Sequence, residues 1–137
     1  MADFTPRTPS ALDALAEEWL DTEIELHPEG RVMLGRPGSQ SDYGDYSPDG
    51  AAADAEAERS MLARVRAADP VDEVDRITQA ELIRTLGLEV EQYDAGFWQH
   101  QLNVIASPAQ GIRDIFDLMP TDTPDAWAAI AARMQNV

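Results

Sequence analysis

Residues 69–96 read DPVDEVDRITQAELIRTLGLEVEQYDAG, the longest stretch of the chain with a helical pattern. Apolar side chains recur along it at roughly helical spacing: Val74, Ile77, Leu82, Leu86, Val90 and Tyr93. The pair Asp69-Pro70 is a typical helix start, because the Asp oxygen can cap the first turn and Pro lacks an N–H that would be unpaired there. We predict a long helix that opens at Asp69-Pro70, is weakened at Gly87 and ends at Gly96.

The same start signal occurs at three other places in the chain: Ser47-Pro48, Ser107-Pro108 and Thr123-Pro124. The first predicts a helix that runs to about Ala68. The second predicts a short helix that Pro120 ends, and the third predicts a last helix that contains Trp127. An earlier helix, capped by Ser10, is expected from Ala11 to about His27.

These elements predict an all-α protein of about five helices in an irregular bundle. Gly, Ser and Asp residues crowd the range 28–46, which we interpret as a long loop between the first two helices. No strand pattern appears, and residues 97–105 have too little periodicity to indicate a helix or a strand. Trp19 and Trp127 are expected to be buried on apolar helix faces, whereas Trp98 could line a pocket.

The charge balance limits the classes of partner. The formal net charge is −16, from 26 acidic residues and 10 basic residues that are all Arg. Nucleic acids and anionic membranes would be repelled, so neither is expected as a partner. There is no Cys and no apolar run near the length of about 20 residues that spans a bilayer. The first residues lack the basic and apolar regions of a signal peptide, so none is expected there. We expect a cytoplasmic protein.

No stretch of the sequence matches a catalytic or metal-binding motif. The two histidines, His27 and His100, lie in different segments, so no His-Glu-x-x-His pair is present. A Gly-x-Ser-x-Gly elbow is absent, residues 35–38 lack the Lys of a phosphate loop, and residues 42–46 lack the spacing of a calcium loop. We therefore expect no catalytic residue, no metal ligand and no cofactor in this chain.

Residues 102–123, LNVIASPAQGIRDIFDLMPTDT, resemble the N-terminal region of a bacterial family catalogued as domain of unknown function 885. The start of the chain is similar to the family's opening as well. There, a first helix is followed by His-Pro-Glu at 27–29, Leu34-Gly35 and Asp45-Tyr46-Ser47-Pro48. The resemblance spans nearly the whole chain, and 107–123 is its most specific part.

The resemblance implies a function that the residues alone do not. Members of this family look like helical zinc metallopeptidases, distantly similar to carboxypeptidases, with a His-Glu-x-x-His type motif far downstream. Residues 1–137 would then be one helical segment, the N-terminal part of a larger protein that carries the zinc. Its partner would be the downstream part of that protein.

The family-like stretch also supplies the candidate substrate contacts Asn103, Gln110 and Arg113. Arg113 could hold a substrate carboxylate with two hydrogen bonds, although capping or helix packing is the alternative role for each of the three.

Two hypotheses about function remain open. The chain is either a channel wall or lid of a peptidase-like enzyme, inactive alone, or a free-standing acidic module that binds a partner helix. Exposure of the Trp127 face of the last helix would favour a binding surface, and apolar helix faces left uncovered would favour self-association.

Overall fold

The computed structural model describes residues 7–137, and this range is entirely helical apart from turns and loops. Six α helices follow one another in the described part of the chain: α1 (Ala11–Leu26), α2 (Gly30–Leu34), α3 (Pro48–Ala67), α4 (Glu73–Asp94), α5 (Pro108–Asp114) and α6 (Pro124–Gln135). Short 3-10 turns occupy Phe97–His100 and Ile115–Leu118. Five of the six α helices have seven residues or more, which confirms the predicted all-α bundle.

Helices α3 and α4 form an antiparallel hairpin, and α1 packs across both. The direction follows from two contacts, since Gln79 near the start of α4 bonds the last turn of α3, while Arg59 reaches Asp94 at the end of α4. Their shared core contains the buried residues Leu12, Met61, Leu62, Val65 and Leu86. Leu15, Trp19, Leu82 and Ile83 pack against this core.

The predicted helix starts are largely confirmed. The Ser10 hydroxyl accepts the N–H groups of Leu12 and Asp13, each at 3.1 Å, at the start of α1. Ser47 and Thr123 cap α3 and α6 in the same manner, each followed by Pro in the first turn. At the start of α5, the side-chain oxygen of Gln110 accepts the N–H of Ser107 at 3.2 Å.

The predicted start of the long helix at Asp69-Pro70 is wrong. Helix α4 begins at Glu73, and its cap is Asp72, whose carboxylate accepts the N–H of Asp75 at 2.9 Å. Residues 69–71 instead link the two long helices. The Gln79 amide donates to the carbonyls of Val65 and Ala68, at 2.9 and 2.7 Å, and so satisfies the end of α3.

The side of α4 that is buried near its start also differs from the prediction. Val74 and Ile77 were predicted on the apolar face, yet they are 50% and 63% exposed. Asp75 lies between them and is only 1% exposed. The predicted pattern holds further along, where Leu86 is buried, and the helix passes through Gly87 without interruption.

Two other features differ from the predicted elements, and one helix end agrees with its prediction. The range 28–46 is not loop throughout, because it contains α2, which ends at Gly35 with a left-handed φ of 63°. The predicted fourth helix changes from α to 3-10 geometry after Asp114. Gly96, with a φ of 72°, follows the last turn of α4, as predicted.

Trp127 is not buried, contrary to the prediction. It is 57% exposed, and its indole N–H donates to the carbonyl of Thr121 at 2.9 Å, so the ring folds back over the turn before α6. Helix α6 turns Arg133 inward instead, which is 0% exposed. Trp19, in contrast, packs against the main core as expected.

Arg7 fastens the start of α1 to the start of α4. Its guanidinium contacts the carboxylates of Asp13, Asp72 and Asp75, the last at 2.9 Å. The buried Asp75 carboxylate also accepts the Ser10 hydroxyl at 2.7 Å. This cluster is referred to below as the Arg7 cluster.

The loop of residues 36–46 lies against α5 and α6. The Tyr43 hydroxyl donates to the carbonyl of Ile112 at 2.8 Å. From α6, Arg133 Nε donates to the carbonyl of Gln40 at 2.8 Å, and the Asn136 amide donates to that of Ser41 at 3.0 Å. Within residues 7–137, no helix has both the length and the apolar character required to cross a membrane.

Candidate functional site

A groove lined by acidic and aromatic side chains runs between α3, α4 and the turn that follows α4. Its walls are Asp54 and Glu58 on α3, Glu89 and Tyr93 on α4, and Trp98, and we call it the acidic groove. It continues into a depression of about 320 Å³ that reaches His27, Tyr46 and Pro108. The groove and this depression together bring acidic, aromatic and amide side chains and one histidine to a single surface.

Helical spacing explains why these side chains share one groove. Asp54 and Glu58 are four residues apart on α3, as are Glu89 and Tyr93 on α4, so each pair lies on one face of its helix. The left-handed Gly96 then turns the chain back. Trp98 thereby stacks on Tyr93, with ring centroids 6.3 Å apart and planes inclined by 13°.

Two carboxyl groups of the groove, those of Glu58 and Asp54, have raised pKa values. Partial burial raises the pKa of Glu58 to about 7, and repulsion by Glu89 and Asp54 adds to this effect. Burial also raises the pKa of Asp54, against the opposing effect of His27. Burial is likewise the main cause of the raised pKa of Glu23 on the neighbouring α1. A positive charge placed among these groups would relieve their repulsion.

His27 connects the groove to the end of α1. Its Nε2 lies 3.4 Å from a carboxylate oxygen of Asp54. Gly44 packs against the same corner, where an added Cβ would lie 2.6 Å from the carbonyl oxygen of Leu26. The groove therefore borders a tightly packed junction between α1, α3 and the loop that precedes α3.

The residues of the described part do not provide a donor set for zinc. Within residues 7–137, no three His, Cys, Asp or Glu side chains are arranged to hold a metal ion. His27 is engaged with Asp54, while Nδ1 of His100 contacts the carbonyl oxygen of Gly96 at 3.1 Å. A zinc ion in a larger protein remains an expectation from the resemblance alone.

The predicted substrate contact Asn103 is occupied by local hydrogen bonds. Its Oδ1 accepts the N–H groups of Ile105 and Ala106, at 2.9 and 2.8 Å, and its Nδ2 donates to the carbonyls of Gln101 and Ala106. These bonds order a turn in the loop before α5. Contact of Asn103 with a substrate stays a prediction.

The structure joins Gln110 to Asn103 by a hydrogen bond, whereas Arg113 pairs with acidic side chains of its own segment. Gln110 accepts from Ser107 at the start of α5, and its Nε2 donates to the carbonyl of Asn103 at 3.3 Å. Arg113 is 69% exposed and pairs with Asp114 and Asp117, at 3.0 and 2.5 Å. Both side chains thus have structural roles, and their contact with a substrate stays a prediction.

Sequence reasoning did not find the acidic groove. Its signal was present, because pairs of polar or aromatic residues recur four apart on both long helices. With 26 acidic residues in the chain, however, no single pair stood out. The suggestion that Trp98 lines a pocket is confirmed, since its ring forms one wall of the groove.

Comparison with known proteins gives a family but no described relative. The sequence profile of a family described as bacterial protein of unknown function DUF885 matches residues 28–137. None of the curated proteins compared with the chain matches it. The matched range begins after α1 and includes the acidic groove, the turn at Asn103 and both helices that follow. Because the match covers well over half of the chain, this protein belongs to the DUF885 family of bacterial proteins.

Proposed function

We propose that this chain forms a non-catalytic helical wall of a larger, zinc-peptidase-like protein. The proposal rests on membership of the DUF885 family together with the resemblance of that family to helical metallopeptidases. The observation that carries it is an ordered apolar loop, residues Leu102–Ala106, that projects beside the acidic groove. We call this segment the apolar loop.

The apolar loop has the character of a contact surface. Leu102, Val104 and Ile105 are 84%, 91% and 85% exposed. Their backbone is nonetheless fixed by the hydrogen bonds of Asn103. Large apolar side chains held in water by an ordered backbone indicate a surface that another polypeptide covers. A wall segment supplies such a surface to the rest of its own protein.

The acidic groove has features that suit the binding of a peptide. Gln101 lines both the groove and the pocket beside Ile105, so the two features are continuous. Carboxylates next to stacked aromatic rings favour a cationic group, through charge and through the ring faces. We propose that the groove accepts the amino group or a basic side chain of a peptide.

The coding sequence beyond codon 137 tests the wall function. An open frame that continues into a His-Glu-x-x-His motif supports it, and a stop directly after Val137 contradicts it. The isolated chain is also expected to show no peptide hydrolysis with added zinc. Turnover by the pure chain that a chelator abolishes would overturn the non-catalytic assignment.

A free-standing interaction module is the second candidate, and one observation favours it. The side chains of Trp127, Met134 and Leu118 are 57%, 67% and 57% exposed, so the Trp127 face is not covered by the described part of the chain. This face suits a partner helix or a second copy. Self-association stays a prediction, and a monomer by light scattering at high concentration would contradict it.

A further inference from the structure

Arg133 is the most deeply buried charged side chain of the described residues. It lies on the inward side of α6 and is 0% exposed. Its neighbours one turn earlier on the helix are Ala129 and Ile130. An arginine therefore occupies a position where the helix pattern would place an apolar residue.

The contacts of Arg133 satisfy only part of its guanidinium group. Its Nε donates to the carbonyl of Gln40 at 2.8 Å, and its centre lies 4.7 Å from the ring centroid of Tyr43. Within the described part of the chain, neither Nη1 nor Nη2 has a hydrogen-bond partner. Four of the five N–H donors of the group are thus left without an acceptor.

Other arginines of the chain have the carboxylate partner that Arg133 does not have among the described residues. Six of them contact carboxylates: Arg7, Arg59, Arg64, Arg76, Arg84 and Arg113. All six are at least partly exposed, whereas Arg133 is fully buried and has no carboxylate among the described residues. Removal of a charge from water is costly unless an opposite charge and hydrogen bonds replace the water.

We propose that Arg133 is the receptor for a small oxyanion, a carboxylate or a phosphate. Nη1 and Nη2 form a planar fork that matches the two oxygens of such a group. Each oxygen would accept one of the unpaired N–H groups, one from Nη1 and one from Nη2. The ring of Tyr43 fixes the plane of the guanidinium, because the Tyr43 hydroxyl is itself tied to the carbonyl of Ile112. Arg133 is not among the residues that line the acidic groove or the depression beside it, and the proposal does not depend on the wall function.

The loop of residues 36–46 covers the site and provides the route to it. It contains no helix, and Arg133, Asn136 and Tyr43 each join it to α5 or α6 by one hydrogen bond, with the Tyr43 ring also in contact with Arg133. At its other end, Gly44 and Tyr46 donate hydrogen bonds to the Glu29 carboxylate. Segments held in this way open at lower free energy than packed helices do. The oxyanion enters when the loop opens, and the loop then closes over it.

Nuclear magnetic resonance of the arginine side chains tests the proposal in the unaltered chain. Sodium acetate and sodium phosphate are titrated separately, with sodium chloride at matched ionic strength as the reference. We expect the Nε–Hε signal of Arg133 to shift saturably, while that of Arg113 follows chloride. A response to acetate alone identifies a carboxylate ligand, and a response to phosphate alone identifies a phosphate ligand.

Thermal unfolding provides a second measurement. The effective anion should raise the Tm of the chain by at least about 2 °C at saturation, as any ligand of the folded state does. Arg133→Lys keeps the charge but loses the fork, so this rise should disappear, whereas Arg113→Gln should retain it. If a variant does not fold, the NMR titration of the unaltered chain still tests whether Arg133 binds the anion.

Two results would overturn the assignment. One is the absence of a saturable shift of the Arg133 signal with both acetate and phosphate. The other is an equal response to chloride, which would mean general screening. If a buried water accepts the Nη protons instead, the first result is expected. The Nη protons would then show a contact with water that neither acetate nor phosphate changes.

Discussion

Gly50 and Gly87 are both helical glycines, yet only one of them has room for a side chain. A Cβ on Gly50 would lie 1.8 Å from the carbonyl oxygen of Asp45, whereas nothing lies within 4 Å of one on Gly87. Gly50→Ala should therefore destabilise the fold, because the backbone before α3 must move. Gly87→Ala should stabilise it by about 0.5–1 kcal/mol, the usual gain for Ala in a helix.

Urea unfolding of both variants provides the comparison. The ordinary helix preference alone would make both substitutions stabilising. A Gly50→Ala variant as stable as Gly87→Ala would show that the approach of Asp45 to α3 is not tight.

Glu58 gives the stability of the protein an unusual dependence on pH. Its pKa of about 7 in the folded chain lies above the ordinary value of 4.5. The folded state therefore binds more protons than the unfolded state between these values, and the contribution of Glu58 to stability falls as pH rises through this window. Glu58→Gln should raise the Tm at pH 8 relative to the unaltered chain.

The difference in Tm between Glu58→Gln and the unaltered chain should shrink at pH 5, where Glu58 is largely protonated in the folded state. Glu56→Gln, on the exposed side of the same helix, is the matched control and should show no such trend. A difference that is the same at pH 5 and pH 8 would contradict the raised pKa.

Single side chains also show where reasoning from sequence reached its limit. Asn103 and Gln110 were recognised as polar residues in a family-like stretch, but their roles depend on which carbonyls lie nearby. Arg133 could not be found, because an arginine in a helix is normally solvated and only tertiary contacts reveal its burial. The acidic groove likewise required the pairing of α3 with α4.

At the level of secondary structure, two aspartates can be compared as the cap of α4. Asp72 supplies the cap seen in the structure, whereas Asp69 precedes a Pro and was predicted from sequence. Asp72→Ala should cost about 1 kcal/mol for the cap, with a further loss from its contact with Arg7. Asp69→Ala should change stability by no more than about 0.5 kcal/mol.

Chemical denaturation of these variants, with Asp72→Asn added, separates the cap from the ion pair. Asn caps a helix about as well as Asp does, so the Asn variant should lose only the contact with Arg7. Equal effects of Asp69→Ala and Asp72→Ala would mean that the helix start is not fixed by Asp72.

The pattern of a capping residue before Pro predicted helix starts well where little else competed. It correctly placed α3, α5 and α6. It failed at Asp69-Pro70 because the link between the long helices needs these residues, with Gln79 closing the end of α3. The five-residue α2 was missed because no side chain caps its start.

For the protein as a whole, the Arg7 cluster is a point where segments distant in sequence meet. The contact with Arg7 holds the pKa of Asp13 below its usual value, and hydrogen bonds from Val71, Ser10 and Arg7 do the same for Asp75. Stability from these carboxylates is present above the ordinary pKa of 3.8 and is lost as pH falls through the lowered values.

Arg7→Gln should therefore lower the Tm at pH 7, and this loss should shrink as pH falls through the lowered pKa values of Asp13 and Asp75 and these carboxylates take up protons. Thermal unfolding across this range provides the measurement. Arg76→Gln removes an exposed pair within one helix and should have little effect at any pH in this range. A Tm of Arg7→Gln equal to that of the unaltered chain at pH 7 would show that the cluster is not stabilising.

The sequence pattern predicted the helical class of the protein but not how its loop and last helix fit together. Apolar spacing indicated which sides of α1 and α3 face inward, and Leu12 and Val65 are indeed buried. The attachment of residues 36–46 to α6 depends on backbone carbonyls, which leave no trace in the pattern of side chains.

The long reach of Arg7 has a consequence for the order of folding. Arg7 and Asp72 are separated by 65 positions, whereas the α3–α4 hairpin is closed by a short link. Contacts that close long segments tend to form after local ones, so the hairpin should assemble before the transition state and the Arg7 cluster after it. Arg7→Gln should then speed unfolding in stopped-flow experiments and leave the refolding rate nearly unchanged.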